Sequence, residues 1–280
     1  MVDQEIALKS VQYRKKILTT IRGANAGHTG GDLSSTDILN VLYNRILNVS
    51  PENFNDPNRD RFIMSKGHSV EALYTVLADR GFFPEAELDS VTRFKSHFVG
   101  HPTRRIPGIE QNTGALGHGL SICTGIAIAG KKDNAPYKVY TLLGDGELAE
   151  GSNWEALMLA AHYKLDNLTA IIDRNGLQIT GKTEDICGLE PLQSKLESFG
   201  WSVRSVDGHN IQELTTVLGS VPFTRSKPSL IIANTIKGKG VSFMENNKKW
   251  HHCVPNPEEF ETAMNELNAL AEMFSTQIGN

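Results

Sequence analysis

The chain has 280 residues, 39% of them hydrophobic, enough to bury a full core in one large α/β domain or two small ones. Its 28 Lys and Arg against 32 Asp and Glu give a net charge of −4, and the basic runs are as short as Arg14-Lys15-Lys16 and Lys248-Lys249, so neither nucleic acid nor an anionic membrane is expected as a partner. Well-separated Cys123, Cys187 and Cys253, a charged N-terminus and the absence of any apolar run of about 18 residues fit a reduced, cytoplasmic protein without disulfides, signal peptide or membrane span.

Residues 4–22 place Ile6, Val11, Ile17, Leu18 and Ile21 among charged neighbours, which predicts an amphipathic helix entering a Gly-rich turn, Gly27-His28-Thr29-Gly30-Gly31. A second helix is expected from Ser34 to Leu47. From Lys138 onward, short apolar runs alternate with helical stretches: VYTLL, a helix from Asn153 to Tyr163, LTAIID, WSVRSV, a helix from Gln212, then SLIIAN. Buried strands separated by helices at this pitch predict βαβ units and a doubly wound, mostly parallel sheet flanked by helices, an α/β fold. Ligand loops in such sheets leave the carboxyl ends of the strands. Residues 257–275, with Phe260, Met264, Leu267, Leu270 and Phe274, read as one amphipathic helix that must dock on something. With no repeat and no low-complexity linker, residues 1–280 are expected to form a single domain.

The strongest chemical signal is Gly144-Asp145-Gly146, directly after VYTLL and before a helix. An acidic residue at a strand end, between glycines that let a ligand approach the backbone, suits a hard cation bridging to phosphate oxygens. The helix N-terminus that follows favours the anion too. The next strand ends at Asn175, with 28 residues, positions 147 to 174, between Gly146 and that asparagine. GDG followed at this distance by Asn resembles the metal-binding signature of thiamine-diphosphate enzymes, and the longer strings GDGELAEGSNWEA and IIDRNGLQITG resemble transketolase. The similarity runs along the whole chain. It implies the thiamine-diphosphate-binding fold, with Asp145 and Asn175 side-chain oxygens and the Leu177 carbonyl on Mg²⁺, or Ca²⁺ or Mn²⁺ in its place. It further implies that the Gly146 N–H faces the diphosphate, that Ile179 packs beneath the cofactor rings, and that Gly114 and Leu116 lie against the cofactor. Spacing alone would make Leu177 and Ile179 ordinary core residues.

Histidines carry the second line of resemblance. Gly27-His28-Thr29-Gly30, Ser65-Lys66-Gly67-His68, Gly100-His101-Pro102 and Trp250-His251-His252 resemble four histidine-bearing loops of the family, each beside glycine, proline or an aromatic residue. The resemblance implies that His68 and His251 contact the diphosphate or reacting centre, while His28 and His101 bind sugar hydroxyls and stabilise oxyanions, a proton-handling task suited to imidazole. His251 and His252 could exchange roles, and His118 stands where relatives often carry glutamine, its role open. Glu150 and Glu155 resemble acidic residues that link two active sites across the family's subunit interface; on their own they are solvated carboxylates at a helix N-terminus.

Transketolases similar to this chain continue into a domain that holds the aminopyrimidine ring and carries the activating glutamate and phosphate-clamping arginines. The resemblance therefore implies a partner, a C-terminal transketolase subunit with the pyrimidine-binding domain, in an assembly of two of each chain acting on sugar phosphates. Competing readings are the α subunit of a 2-oxoacid dehydrogenase, a deoxyxylulose-phosphate synthase, and a non-catalytic scaffold or regulatory subunit. Gly125 to Lys132 imitates phosphate-loop spacing but lacks the closing Ser or Thr and follows no strand, so no nucleotide is expected there.

Overall fold

The computed structural model describes residues 2–279. Helix α1 (Asp3–Ala24) buries all five apolar residues that predicted it, and α2 (Thr29–Val41) follows, continued by a π-helical turn at Leu42–Ile46. Strand β1 (Arg61–Met64), α3 (Val70–Asp79) and α4 (Gly119–Lys132) precede β2 (Val139–Gly144) and α5 (Gly151–His162). Then come β3 (Leu168–Arg174), two short helices α6 (Thr183–Ile186) and α7 (Leu192–Ser198), β4 (Ser202–Asp207), α8 (Ile211–Gly219), β5 (Ser229–Asn234) and α9 (Pro257–Gly279).

The five strands form one sheet in the order β1-β2-β3-β5-β4, every pairing parallel. Strand periodicity decides what each face covers. Tyr140, Leu142, Ile171 and Ile231 point into a cluster with residues of α1, α2, α3 and α8, while Val139, Leu143, Ala170, Ile172 and Leu230 point into one with α4, α5 and α7. The central strands read as unbroken apolar runs because both faces are covered. Edge strand β4 is exposed along much of its length.

Two expectations shift. The second helix begins five residues before Ser34, because Gly30 and Gly31 form its first turn instead of a loop; a Cβ on Gly30 would lie 2.8 Å from the Trp250 carbonyl, so glycine is needed for close packing. Strand β1, at the other edge of the sheet, is not among the predicted elements. The C-terminal helix docks on this same chain: Ala263 and Leu267 are fully buried, and α9 lies against α1. Among the described residues, no helix is long and apolar enough to cross a membrane.

Candidate functional site

The carboxyl ends of β1, β2, β3 and β5 give rise to the segments Ser65–His68, Gly144–Gly146, Asn175–Thr180 and Thr235–Lys237. Together with His28, the residue before α2, they enclose a cavity of about 510 Å³. His28, His68, His101, Gly114, Leu116, Asp145, Gly146, Asn175, Leu177, Ile179 and His251 all line it. Every residue the sequence assigned to catalysis, cofactor or metal thus shares one space. Glu150 and Glu155 are exposed at the start of α5 outside it, and His118 borders a separate shallow depression with Asn112 and Ala115. The phosphate-loop mimic is interior to α4. A larger groove of about 710 Å³ lies between α1 and α9, away from the strand tips, and holds none of the predicted residues.

Asp145 and Asn175 follow neighbouring strands, with Gly144 in register with Asp173. The Asp145 carboxylate accepts from the Gly146 N–H (2.8 Å), the Gly176 N–H (2.6 Å) and Arg174 (3.1 Å). Burial, then the neighbouring Asp173, raises its pKa. The Asn175 amide donates to Asp173 (3.2 Å), while its carbonyl oxygen accepts from the Leu177 N–H (3.2 Å). Beneath them Glu147, buried and also raised by burial, staples the turn: it accepts from Ser65, from the Gly117 N–H (2.9 Å) and from the Gly144 N–H (3.0 Å).

Two lysines escaped the sequence reading. Lys66 lies at the cavity floor in a fully buried ion pair with Asp173, which also accepts from Ser34 (2.6 Å) and Thr235. Burial would raise the Asp173 carboxyl, but Lys66 and these hydroxyls outweigh it and hold it below the usual carboxylate range. Lys237, 2% exposed, donates to the Leu177 carbonyl (3.1 Å) and meets His251 Nδ1 at 2.9 Å. Burial, then the Lys66 charge, pulls its pKa down to about 8. Neither had a local signal: Lys66 follows β1, itself absent from the predicted elements, and Lys237 is set off from SLIIAN by Thr235 and Ile236.

The histidines form a cluster around His28, whose ring centroid is 5.1 Å from His68, 5.5 Å from His251, 4.6 Å from His252 and 6.4 Å from His101. His251 lines the cavity and contacts Lys237, whereas His252 is exposed behind His28, which separates the two adjacent residues. Burial, followed by nearby positive groups, lowers His28 to about 4 and His251 to about 3. His68 is lowered by burial and then Lys66, and His101 by burial alone. All four are neutral near pH 7, able both to donate and to accept a hydrogen bond.

The donor chemistry suits a phosphate ester with a hard cation. Asp145, Asn175 and Leu177 offer only oxygen, the preference of Mg²⁺, Ca²⁺ and Mn²⁺. Among the described residues Lys237 has no carboxylate within ion-pair distance, so the cavity carries a buried positive charge that an anion would compensate. Gly114, at φ +145°, brings backbone against His101 where a Cβ would come within 2.7 Å of the ring, leaving the wall flat enough for a cofactor to lie on.

Residues 8–274 match the family model described as transketolase, thiamine diphosphate binding domain. The chain is 48% identical over 269 residues to one subunit of the apulose-4-phosphate transketolase of Phocaeicola vulgatus, covering 96% of each. It is 42% identical over 270 residues to a 6-deoxy-6-sulfo-D-fructose transketolase subunit of a Clostridium species, covering 95% of this chain and 98% of that one. Among solved structures it resembles transketolase from Campylobacter jejuni with a TM-score of 0.88 and 30% identity, over 96% of this chain but only 45% of that longer one.

Proposed function

Since the chain belongs to the transketolase family through its thiamine-diphosphate-binding domain, we propose that it is the diphosphate- and metal-binding subunit of a two-chain transketolase. It transfers a two-carbon ketol unit from a ketose phosphate to an aldose acceptor in the cytoplasm. The observation that carries this reading is the convergence of Asp145, Asn175 and Leu177 with Lys237, His68 and His251 in one cavity at the sheet's carboxyl edge.

In this reading residues 1–280 act as a single binding domain. Asp145, Asn175 and the Leu177 carbonyl hold Mg²⁺, or Ca²⁺ or Mn²⁺, while His68, His251, the Gly146 N–H and Lys237 face the diphosphate. Gly114, Leu116 and Ile179 line the path of the rings; Ile179, 70% exposed, is an apolar surface that a cofactor or a partner would cover. Thiamine diphosphate, when bound, supplies the nucleophilic carbon and the electron sink for ketol transfer. The protein's part is orientation, exclusion of water and hydrogen bonding, with neutral His28 and His101 donating to sugar oxygens as negative charge develops on them.

Relatives whose names mark them as one subunit of a transketolase support a partner chain that supplies the pyrimidine-binding domain, in an assembly of two of each. In this reading Glu150 and Glu155 link two active sites across the subunit interface. Mixing the chain with that partner tests the proposal: Mg²⁺-dependent thiamine-diphosphate binding and ketol transfer appear only in the mixture or strengthen in it. Robust turnover by this chain alone would defeat the split site.

A further inference from the structure

We infer that His209, outside the cofactor cavity, is a positioning residue that sets where Lys237 enters it; the inference rests on the reading of that cavity as the diphosphate site. His209 lies in the loop between β4 and α8 with a side chain 10% exposed. Its two ring nitrogens have different tasks. Nε2 is 2.8 Å from the Ile236 backbone nitrogen, so it must be the acceptor, since an N–H faces it. Nδ1 is 2.7 Å from Asp37 Oδ2 and must carry the ring's hydrogen. Asp37 fixes this tautomer. It is itself gripped by Arg14 Nη2 at 2.5 Å and Nη1 at 3.2 Å, and Arg14 and His209 hold its carboxyl well below the usual range against the burial that would raise it. The chain of contacts thus runs Arg14 (α1), Asp37 (α2), His209, Ile236, and the next residue is Lys237.

The segment it reaches is tied at its ends, and between them the Ile236 and Lys237 carbonyls accept from the Lys239 (3.1 Å) and Asn246 (2.9 Å) N–H groups. The Thr235 N–H bonds to the Arg174 carbonyl (3.1 Å) and the Gly238 N–H to the Gly30 carbonyl (3.0 Å). The Ile236 N–H lies between these anchors, immediately before the lysine, and His209 is its acceptor. The two loops are packed too closely for any side chain between them, because a Cβ on Gly208 would sit 2.4 Å from Thr235 Cγ2. Without the imidazole acceptor the partly buried Ile236 N–H is unpaired, and the peptide just ahead of Lys237 turns toward another partner. The Lys237 ammonium, now 3.1 Å from the Leu177 carbonyl, moves with it.

Two substitutions separate the two ring nitrogens. His209→Asn places its amide near the Nδ1 position, keeping the donor to Asp37 and losing the acceptor for Ile236. His209→Gln reaches Ile236 with its amide oxygen and gives up the contact to Asp37. Thiamine-diphosphate affinity in the presence of Mg²⁺ is expected to fall about tenfold in His209→Asn, the scale of one lost hydrogen bond, and to stay within about threefold of wild type in His209→Gln. In a Lys237→Met background His209→Asn adds no further loss. Equal losses in both variants, or a full loss persisting without Lys237, would show a purely structural role and overturn the inference. Acylation of Lys237 by an amine-directed reagent, followed by mass spectrometry, reads the same positioning in the free protein: its rate changes in His209→Asn and not in His209→Gln. If wild type mixed with its partner chain binds no thiamine diphosphate, the functional reading fails, and the acylation rates alone decide the inference.

Discussion

The Lys66 ammonium and the Asp173 carboxylate form an ion pair with side chains 1% and 0% exposed, at the point where β1 and β3 deliver their loops to the cofactor cavity. Asp173 also receives Ser34, Thr235 and Asn175, so one buried carboxylate fixes the starts of three site segments. Asp173→Ala leaves a desolvated ammonium without its partner and is expected to cost about 3 to 5 kcal/mol, measured by urea unfolding. A loss below about 1 kcal/mol would mean the pair is solvated and the account of the cavity floor wrong.

Asp145 is the one charged oxygen donor among the three assigned to the metal. Asp145→Ala is expected to abolish Mg²⁺-dependent thiamine-diphosphate binding while leaving the fold in place, since the neighbouring Glu147 keeps the turn stapled through Ser65 and Gly144. Calorimetric titration with and without Mg²⁺ checks this; unchanged affinity refutes the metal assignment.

His28→Ala is expected to lower turnover of the two-chain enzyme by about 10²-fold or more, the scale of one proton-handling group, with little change in cofactor affinity. The pKa of about 4 for His28, set first by burial, also gives a pH signature. Its folded pKa lies below the unfolded 6.5, so its contribution to stability is present above 6.5 and lost as pH falls toward 4. Imidazole NMR resonances of His28 should shift below pH 5; a midpoint near 6.5 contradicts the crowded, buried setting.

Asp32 of α2 and Glu71 of α3 are buried, each with a carboxyl oxygen (Asp32 Oδ2, Glu71 Oε2) that has no hydrogen-bond partner, which a proton shared between them would satisfy; Asp32 also accepts from the Ala72 N–H at 2.8 Å in the first turn of α3. Burial raises both carboxyls, Glu71 to about 7. The latch therefore contributes stability below the ordinary carboxylate range and loses it as pH rises through about 7. Lys66, Tyr74 and the helix start are the other groups that act on the pair. Glu71→Gln, which keeps a permanent donor, is expected to be more stable than wild type at pH 9 by roughly 1 to 3 kcal/mol and no more stable at pH 5. Parallel thermal unfolding curves at both pH values would remove the shared proton from the account.

Much of the central sheet was legible in the sequence, because β2, β3 and β5 are apolar on both faces and bounded by polar turns. β4 was legible as the run WSVRSV, although it is a largely exposed edge strand instead of the buried one expected. β1 was not: RFIM is too short to set a period, and its identity as a strand comes from pairing with β2. Gly30 and Gly31 misled in the usual direction, reading as a turn although α2 needs them to lie close to Trp250. At the site, the motif residues and loop histidines were recoverable from resemblance and context. Lys66 and Lys237 were not, since nothing local to a lysine reveals that a strand tip and its neighbours will bury it. His209 was further out of reach: its role depends on Arg14 and Asp37, which meet it only in the folded chain.

Because every strand pairing is parallel, no two hydrogen-bonded strands are joined by a tight hairpin, and β1 must find β2 across 74 intervening residues, from 65 to 138. The cavity draws on the tips of four such strands and on both sequence-distant halves of the chain. Its assembly is thus governed by long loop closures, which are slow. During renaturation from denaturant, helical signal should return well before the ability to retain thiamine diphosphate, making ligand capture a clock for the last stage of chain collapse.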